Sequence, residues 1–536
     1  MYITDASKQY KHKFSPCVLL VESYRDKLGK PRRRTILNLS KTPPAITQAV
    51  KLAVAGKTPV SLEEVTQPDN RSLGEVTILH RLAGKLGIIN ILKQKLGRHI
   101  TALVLAMVIN RVSEPRSRYG LREWLETNYL AEIVEVPLEQ FHHNRLYEAL
   151  KLLTNKQQEI EAELWGKTKQ IEGGLRLILY DITSTYLEGQ QCELAEYGYS
   201  RDKKRGKKQI LVALVTTPTG RPVSVEVLRG NTADKSTLMS KVRQLKERFG
   251  LEEVIYVFDR GMRDEGKLGM LRSSEIAYIT ALTRGEVGDL VKEGVIQLGL
   301  FDQQMAEYRE GNKRYIVCRS AQWQRNRKRR EELLRKTEEG LEGLRRSVIT
   351  GKVKDAVKIA KKAGWKVRRW KLGRYFNLKI QEGYFGYERR NEQLREAEEL
   401  DWVYVLETTE QELEAQQIQE GYKNLAKVEE DFRELKSVLE VRPVNHRKEE
   451  TVRGHVFVCF LALYLRKQLE LLLQPLFEHQ PEVTFSRVLT RLKEIRQSRL
   501  QAGEYQRMIV NQLDQLQQEI LTTLKMRILP LQLPNL

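Results

Sequence analysis

Two short apolar runs in this chain each close on an aspartate: Leu175-Arg-Leu-Ile-Leu-Tyr-Asp181 and Glu253-Val-Ile-Tyr-Val-Phe-Asp259. Runs of this length and apolarity read as buried strands. A buried strand has no packing use for a carboxylate at its end, so two such ends meeting at one sheet edge would make a site for a divalent metal.

The elements around the two runs restrict the topology. The sequence predicts a strand over 175–181, a strand over 209–217, a Pro218-Thr-Gly220 turn and a strand over 221–228. A helix over 234–250, a strand over 253–259, a helix over 262–274 and a strand over 276–282 follow. Three hairpin-linked strands followed by alternating helix and strand give an α/β fold with a mixed sheet, in the order of the ribonuclease H-like fold. By that analogy the first and fourth strands lie side by side, which brings Asp181 next to Asp259.

The flanking regions differ in pattern. Residues 1–44 read as a β-hairpin turning at Gly29-Lys-Pro, and residues 45–165 as a helical N-terminal region. Arg111, Arg116, Arg118 and Arg122 stud that region, as phosphate contacts or as a solvated helix face. The α/β part spans 170–283 and 401–470. A β-containing insertion domain at 284–400 interrupts it, carrying the basic helix Gln324-Arg-Asn-Arg-Lys-Arg-Arg. Residues 471–536 read as a C-terminal helical region, with a helix pair over 484–525.

Composition narrows the partners. Lys and Arg number 92 against 70 Asp and Glu, a net charge of +22 whose excess is clustered, and this favours a polyanion such as nucleic acid. The four cysteines form no Cys-x-x-Cys pair, so neither a disulfide framework nor a zinc knuckle is indicated. The N-terminal residues carry no signal segment, and the longest apolar run, Val456–Leu465, is too short to span a bilayer; a cytoplasmic, nucleoid-associated protein is expected. No phosphate loop is present, so no ATP dependence is expected. His142 and His143 have no partner at metal-ligand spacing and read as structural, and His446 as a supporting residue.

A third carboxylate comes from the segment 422–436, read as one helix. At about 100° per residue, Tyr422, Leu425, Glu429, Phe432, Arg433 and Lys436 share one face, which puts Glu429 inside the packed stripe. Two readings of Glu429 stand on this evidence: a metal ligand, or an i,i+4 ion pair with Arg433 worth a few tenths of a kcal/mol.

Tyr422, Glu429 and Lys436 fit the Tyr-x2-Arg-x3-Glu-x6-Lys signature of DDE transposases from bacterial insertion sequences, and the chain resembles their insertion-sequence-four-like branch. Tyr180-Asp-Ile-Thr-Ser-Thr, Gly198-Tyr-Ser-Arg-Asp, Gly230-Asn-Thr-Ala-Asp, Phe258-Asp-Arg-Gly, Arg442-Pro-Val-Asn-His and Gly454-His-Val-Phe also match, in family order across about 175–465. The chain departs at Leu425, which stands where the signature has arginine, so Arg433, Lys427 or another cation would have to replace it.

The resemblance implies that Asp181, Asp259 and Glu429 form a catalytic, metal-binding triad, and that 284–400 is the insertion typical of this branch. Three carboxylates within a few ångströms would repel by about 4 kcal/mol per pair at 4 Å and an effective dielectric near 20, so cations are needed. Two Mg2+ ions are expected, with Mn2+ as a substitute. The expected activity is cleavage at insertion-sequence ends and strand transfer into target DNA. The substrates would be double-stranded DNA, both terminal inverted repeats and target, and the working form a homodimer on DNA, with the helical region 45–165 and the C-terminal helices as the candidates for DNA-end binding and dimerisation. Lys203, Lys204, Arg205, Lys207, Lys208, Arg260, Tyr422, Arg433 and Lys436 are the expected DNA-binding residues, although Tyr422 also fits simple packing. Trp365 and Trp370 fit either a base-stacking platform or the core of a small β domain. A structure-selective nuclease on the same fold, or an inactive DNA-binding derivative of a transposase, would carry the same sequence features.

Overall fold

The computed structural model describes the chain except for residues 11–12, 58–64, 173–176, 189–190, 199–205, 233–247, 250–254, 298–304, 321–322, 443, 503–504 and 533–536. The chain forms two compact units, one of residues 1–74, 490–518 and 527–536, the other of residues 75–489 and 519–526.

In the first unit, β1 (Tyr2–Tyr10), β2 (Lys13–Arg25) and β3 (Pro31–Asn38) make an antiparallel sheet. The expected hairpin is the β2–β3 pair, turning where Gly29 takes a φ of 75°, a conformation open to a residue without a Cβ. The first strand was not read from the sequence. A second sheet pairs β4 (Thr66–Ser72), from within the stretch expected to be helical, with β15 (Arg496–Ala502) and β16 (Tyr505–Val510). Helices stand at Phe485–Lys493 and Gln515–Thr523, as the expected helix pair over 484–525 had it, but the β15–β16 hairpin, which was not expected, separates them. Gln and Arg favour helix locally, but residues 496–502 find a backbone partner more than 400 positions away, and a pairing that distant has no local signature. Buried Gln497 is accommodated because its amide closes a backbone pair with Leu531, accepting at 2.6 Å from its N–H and donating at 3.4 Å to its carbonyl.

The second unit is built on an eight-stranded mixed sheet. Its strands are β5 (Leu177–Tyr186), β6 (Gln209–Thr216), β7 (Pro222–Arg229), β8 (Ile255–Val257), β9 (Tyr278–Ala281), β10 (Met305–Glu310), β11 (Lys313–Arg319) and β14 (Val403–Thr408), in the order β10-β11-β14-β9-β8-β5-β6-β7. β5 pairs parallel with β8, and β8 parallel with β9; the other pairs are antiparallel. The expected adjacency of first and fourth strands is therefore present. The residues of the expected helix over 234–250 lie mostly outside the described part. Tyr180, Ile182, Ala213, Tyr256 and Phe258 pack with Leu268, Leu271, Trp165 and Phe249 into one core.

β10 and β11, read from the sequence as part of the insertion, extend the main sheet through β14. Between β11 and β14 lie the helices Trp323–Ile349 and Ala356–Arg369, a ribbon of β12 (Phe376–Gln381) and β13 (Tyr384–Arg389), and the helix Asn391–Glu399. They enclose a separate core of Leu334, Leu341, Leu344, Ile359, Ala363 and Phe376. On the N-terminal side, the helices Ile88–Ser113 and His143–Asn155 pack against the long helix Glu449–His479. Gly454 makes that approach close: a Cβ there would stand 2.5 Å from the carbonyl oxygen of Leu150.

Candidate functional site

Asp181 stands in the middle of β5. The strand does not end there, as the sequence had indicated, because β6 pairs with it onward to Tyr186↔Gln209. The parallel register of β5 and β8 runs from Leu177↔Ile255 to Leu179↔Val257. Continued by two residues on each strand, it sets position 181 level with position 259. The side chain of Asp181 lies outside the described residues.

Asp259 lies two residues beyond Val257, the last residue of β8, and is exposed. Its Oδ2 accepts from the N–H of Gly261 at 3.3 Å, capping a single 3-10 turn, Arg260–Met262. Its Oδ1 accepts from the Tyr422 hydroxyl at 3.3 Å. Burial, and then the charge of Asp259, push the Tyr422 phenol above its ordinary value, so the hydroxyl keeps its proton and donates. A carboxylate offers about four acceptor positions, so two such bonds leave Asp259 capacity for a cation.

Residues the sequence reading missed hold this loop. Arg263 is almost enclosed; it pairs with Glu407 of β14 at 2.8 Å and with Glu286, and lies 3.7 Å from Glu265. Buried Glu407 also accepts the hydroxyl of Tyr278 on β9. The partners lie up to 144 positions apart and become a network only once β9 and β14 pair.

The helix read over 422–436 is two helices, Ala415–Lys423 and Leu425–Ser437, meeting at Asn424. The packed stripe of the second is Leu425, Val428, Asp431, Phe432 and Leu435, and Glu429 is exposed beside it rather than inside it. The packed acid is instead Asp431, fully buried with an ion pair to Lys467 at 3.0 Å. Burial pushes Asp431 up to about 7 although Lys467 pulls the other way. One turn on, Glu434 takes a two-pronged grip from Arg466 at 3.1 and 3.2 Å. These pairs fix the helix to Glu449–His479 and leave Glu429 on the side facing β5.

There Glu429 lines a cleft of about 250 Å³ with Thr183, Phe432, Arg433, Lys436 and Arg442. Thr183 is two residues beyond Asp181 on β5, and strand alternation puts positions 181 and 183 on one face. The chain after the helix is pinned to the same strand: Glu188 donates its N–H to the Val444 carbonyl at 3.1 Å, and Val444 donates to Tyr186 at 3.3 Å. β5 thus meets β8, the Glu429 cleft and the 444 segment. Among the described residues, no three His, Cys, Asp or Glu side chains gather as a metal site.

The other expected residues are spread more widely. Lys203, Lys204 and Arg205 lie outside the described residues. Lys207 is exposed and paired with Glu188 at 2.6 Å, and Lys208 lies 5.9 Å from the Tyr197 ring. Arg260 and Arg433 are exposed. Trp365 and Trp370 are exposed, with Arg369 over both rings at 5.5 and 5.1 Å, so the alternative of two core tryptophans does not hold; Tyr375 takes the core position. The four arginines of the helical region divide. Arg116 and Arg122 are exposed beside Glu114 and Glu126, whereas Arg111 is buried and Arg118 half-buried against His455. His142 caps its helix, accepting from the Asn144 N–H at 3.4 Å. Among the described residues no helix is long and apolar enough to cross a membrane.

A family model described as the transposase DDE domain matches residues 172–465, more than half of the chain. No curated protein matches the sequence. Among solved structures, the cryo-EM structure of a piggyBac transposase synaptic complex with hairpin DNA aligns over 78% of this chain and 77% of that one, at 9% identity and a TM-score of 0.34. The Mos1 transposase paired-end complex with the left transposon end aligns over 33% of this chain and 62% of that one, at 16% identity and a TM-score of 0.15.

Proposed function

The chain belongs to the transposase DDE domain family and is a DDE-type DNA transposase, and from that premise we propose that Asp181, Asp259 and Glu429 are its catalytic triad, on a sheet of the ribonuclease H-like type. The observation that carries this assignment is the β5–β8 register, which levels positions 181 and 259 while the Glu429 cleft opens on the same strand. Within the family, the spacing of Tyr422, Glu429 and Lys436 favours the insertion-sequence-four-like branch, and the hydrogen bond from Tyr422 to Asp259 gives the signature tyrosine a role.

The donor set at the three positions is all carboxylate, and Asp259 is exposed with acceptor capacity to spare, so the residues fit hard divalent cations, Mg2+ or Mn2+. Bound as a pair, such ions supply activation of the attacking oxygen and stabilisation of the leaving one. The chain supplies placement. Tyr422 and the Gly261 N–H fix the Asp259 carboxylate from two sides, and the Arg263–Glu407–Tyr278 network holds the turn that carries it.

In cleavage, water attacks a phosphodiester at the transposon end and a 3′-hydroxyl leaves. In strand transfer, that 3′-hydroxyl attacks a phosphodiester of the target, and the target strand's own 3′-hydroxyl leaves. Both are displacements at phosphorus, so one site serves both and no protein nucleophile is needed. Leu425 is packed and offers no charge to DNA; Arg433, Lys436 and Arg442 around the cleft take the signature arginine's part in neutralising phosphate. Lys203, Lys204, Arg205, Lys207, Lys208 and Arg260 extend the contact along double-stranded DNA, and the exposed Trp365–Arg369–Trp370 stack offers an unpaired base a platform. The working form is a homodimer on paired ends, in the cytoplasm on nucleoid DNA.

The test uses DNA carrying the inverted repeats that flank the coding region. Asp181→Ala, Asp259→Ala and Glu429→Ala should each abolish magnesium-dependent cleavage while DNA binding stays measurable. A variant that cleaves normally removes its residue from the triad.

A further inference from the structure

A second cavity, of about 360 Å³, adjoins the Glu429 cleft, and Arg442 lines both. It lies between the helical region and the chain that returns from the Glu429 helix, and its wall carries Arg111, Arg118, His446 and His455. Two guanidinium groups in a largely enclosed space are costly unless matched by negative charge. The carboxylate at this cavity is Glu440, whose Oε2 is 3.9 Å from Arg111.

The hydrogen bonds show what is already engaged. Arg111 donates to the carbonyls of Leu439 and Glu440, both at 3.4 Å, and so is spent on the turn that ends the Glu429 helix. Arg118 donates to His455 Nδ1 at 3.2 Å, and His455 Nε2 faces the carbonyl of Val441 at 3.1 Å, so His455 is the neutral Nε2–H tautomer. Two polar atoms are left over, both buried: Nε of Arg118 and Nδ1 of His446, a side chain about 95% enclosed. The Tyr147 ring fixes the pair, lying 5.3 Å from the Arg118 guanidinium and edge-on to His446 at 5.6 Å.

We propose that this cavity is a phosphate-binding site in which Arg118 and His446, with Arg442 at the shared edge, hold a backbone phosphodiester of the DNA strand leaving the Glu429 cleft. The assignment rests on the transposase reading above, because the shared Arg442 wall makes the cavity continuous with the cleft in which DNA is processed. An anion supplies the acceptor that Arg118 Nε–H lacks and a negative charge beside that of the exposed Glu440, and it favours the protonated form of His446, whose Nδ1–H then donates. Burial, with Arg118 and Arg111 close by, pushes His446 down to about 2, and burial lowers Arg118 to about 10.

Binding is read in EDTA, so cleavage plays no part. Fluorescence anisotropy of a labelled duplex across a potassium chloride series compares the wild type with Arg118→Gln and with Ser117→Glu, which sets a negative charge at the exposed rim. Each variant should bind roughly tenfold more weakly near physiological salt and lose about one unit from the slope of log K against log salt. A folded Ser117→Glu protein with the wild-type slope overturns the site even if Arg118→Gln fails to fold. Inorganic phosphate replacing chloride at constant ionic strength should weaken binding by the wild type and leave Ser117→Glu unchanged, because it takes the place of the strand's phosphodiester; if wild type and variant respond alike, no DNA phosphate occupies the cavity and the assignment falls. Normal cleavage by the triad variants would instead sink the catalytic assignment and leave these binding slopes standing.

Discussion

The hydroxyl of Tyr422 donates to Oδ1 of Asp259 across 3.3 Å, tying the helix Ala415–Lys423 to the loop that leaves β8. One helix thereby positions the second carboxylate, and the next carries the third. The bond involves a charged acceptor, which makes it worth more than a neutral contact. Tyr422→Phe should slow cleavage about tenfold with little change in melting temperature. Single-turnover kinetics and thermal unfolding check this; a variant with wild-type cleavage would reduce Tyr422 to packing.

Asp431 carries a pH signature. Its ordinary value is 3.8, and the folded protein raises it to about 7. Between those values the folded state holds a proton that the unfolded chain has released, so this group's contribution to stability falls as pH rises through the window. Asp431→Asn has no such proton to lose. Its melting temperature relative to wild type should therefore improve from pH 4.5 to pH 8, and a difference that stays flat would contradict the burial argument.

Glu407 ties Arg263 and Tyr278 to the turn that begins at Asp259. Glu407→Gln removes the buried one of the carboxylates that face the nearly enclosed Arg263 guanidinium and should cost about 3 kcal/mol in urea unfolding. Cleavage at a temperature where the variant is fully folded should also fall, because the turn is no longer held; retention of full activity there would confine Glu407 to a stability role.

Gly230 lies against the start of β6. A Cβ at that position would stand 1.9 Å from the carbonyl oxygen of Gln209 and 2.8 Å from that of Glu196. Both obstacles are backbone, so Gly230→Ala should destabilise by more than about 2 kcal/mol. Circular dichroism of the purified variant checks this; a wild-type melting curve would mean that the loop shifts freely.

The parts legible in the sequence are those with a local period or a contiguous motif. The apolar runs before Asp181 and Asp259 gave the two parallel strands, and Gly29-Lys-Pro gave the first-unit hairpin. Features made by distant pairing were not legible. β15 is a strand because β4 lies beside it, and Arg263 reads as one more cation until β14 brings Glu407 to it. Helical spacing put Glu429 on a helix but ran two helices together and misplaced the packed face. Leu425, Phe432 and a glutamate fit a stripe as well as Leu425, Val428, Asp431 and Leu435 do, and only the partner Lys467 decides that an aspartate is the acid that goes inside. The Arg118–His446 cavity was visible only as scattered arginines and one histidine.

The central claim is that carboxylates from β5, from the end of β8 and from the Glu429 helix share divalent ions. Anomalous diffraction from crystals of the full chain grown with DNA and Mn2+ tests it most directly. The account predicts manganese peaks about 2–2.5 Å from carboxylate oxygens of Asp181, Asp259 and Glu429. Ordered manganese coordinated elsewhere, with any of the three carboxylates out of reach, would contradict it.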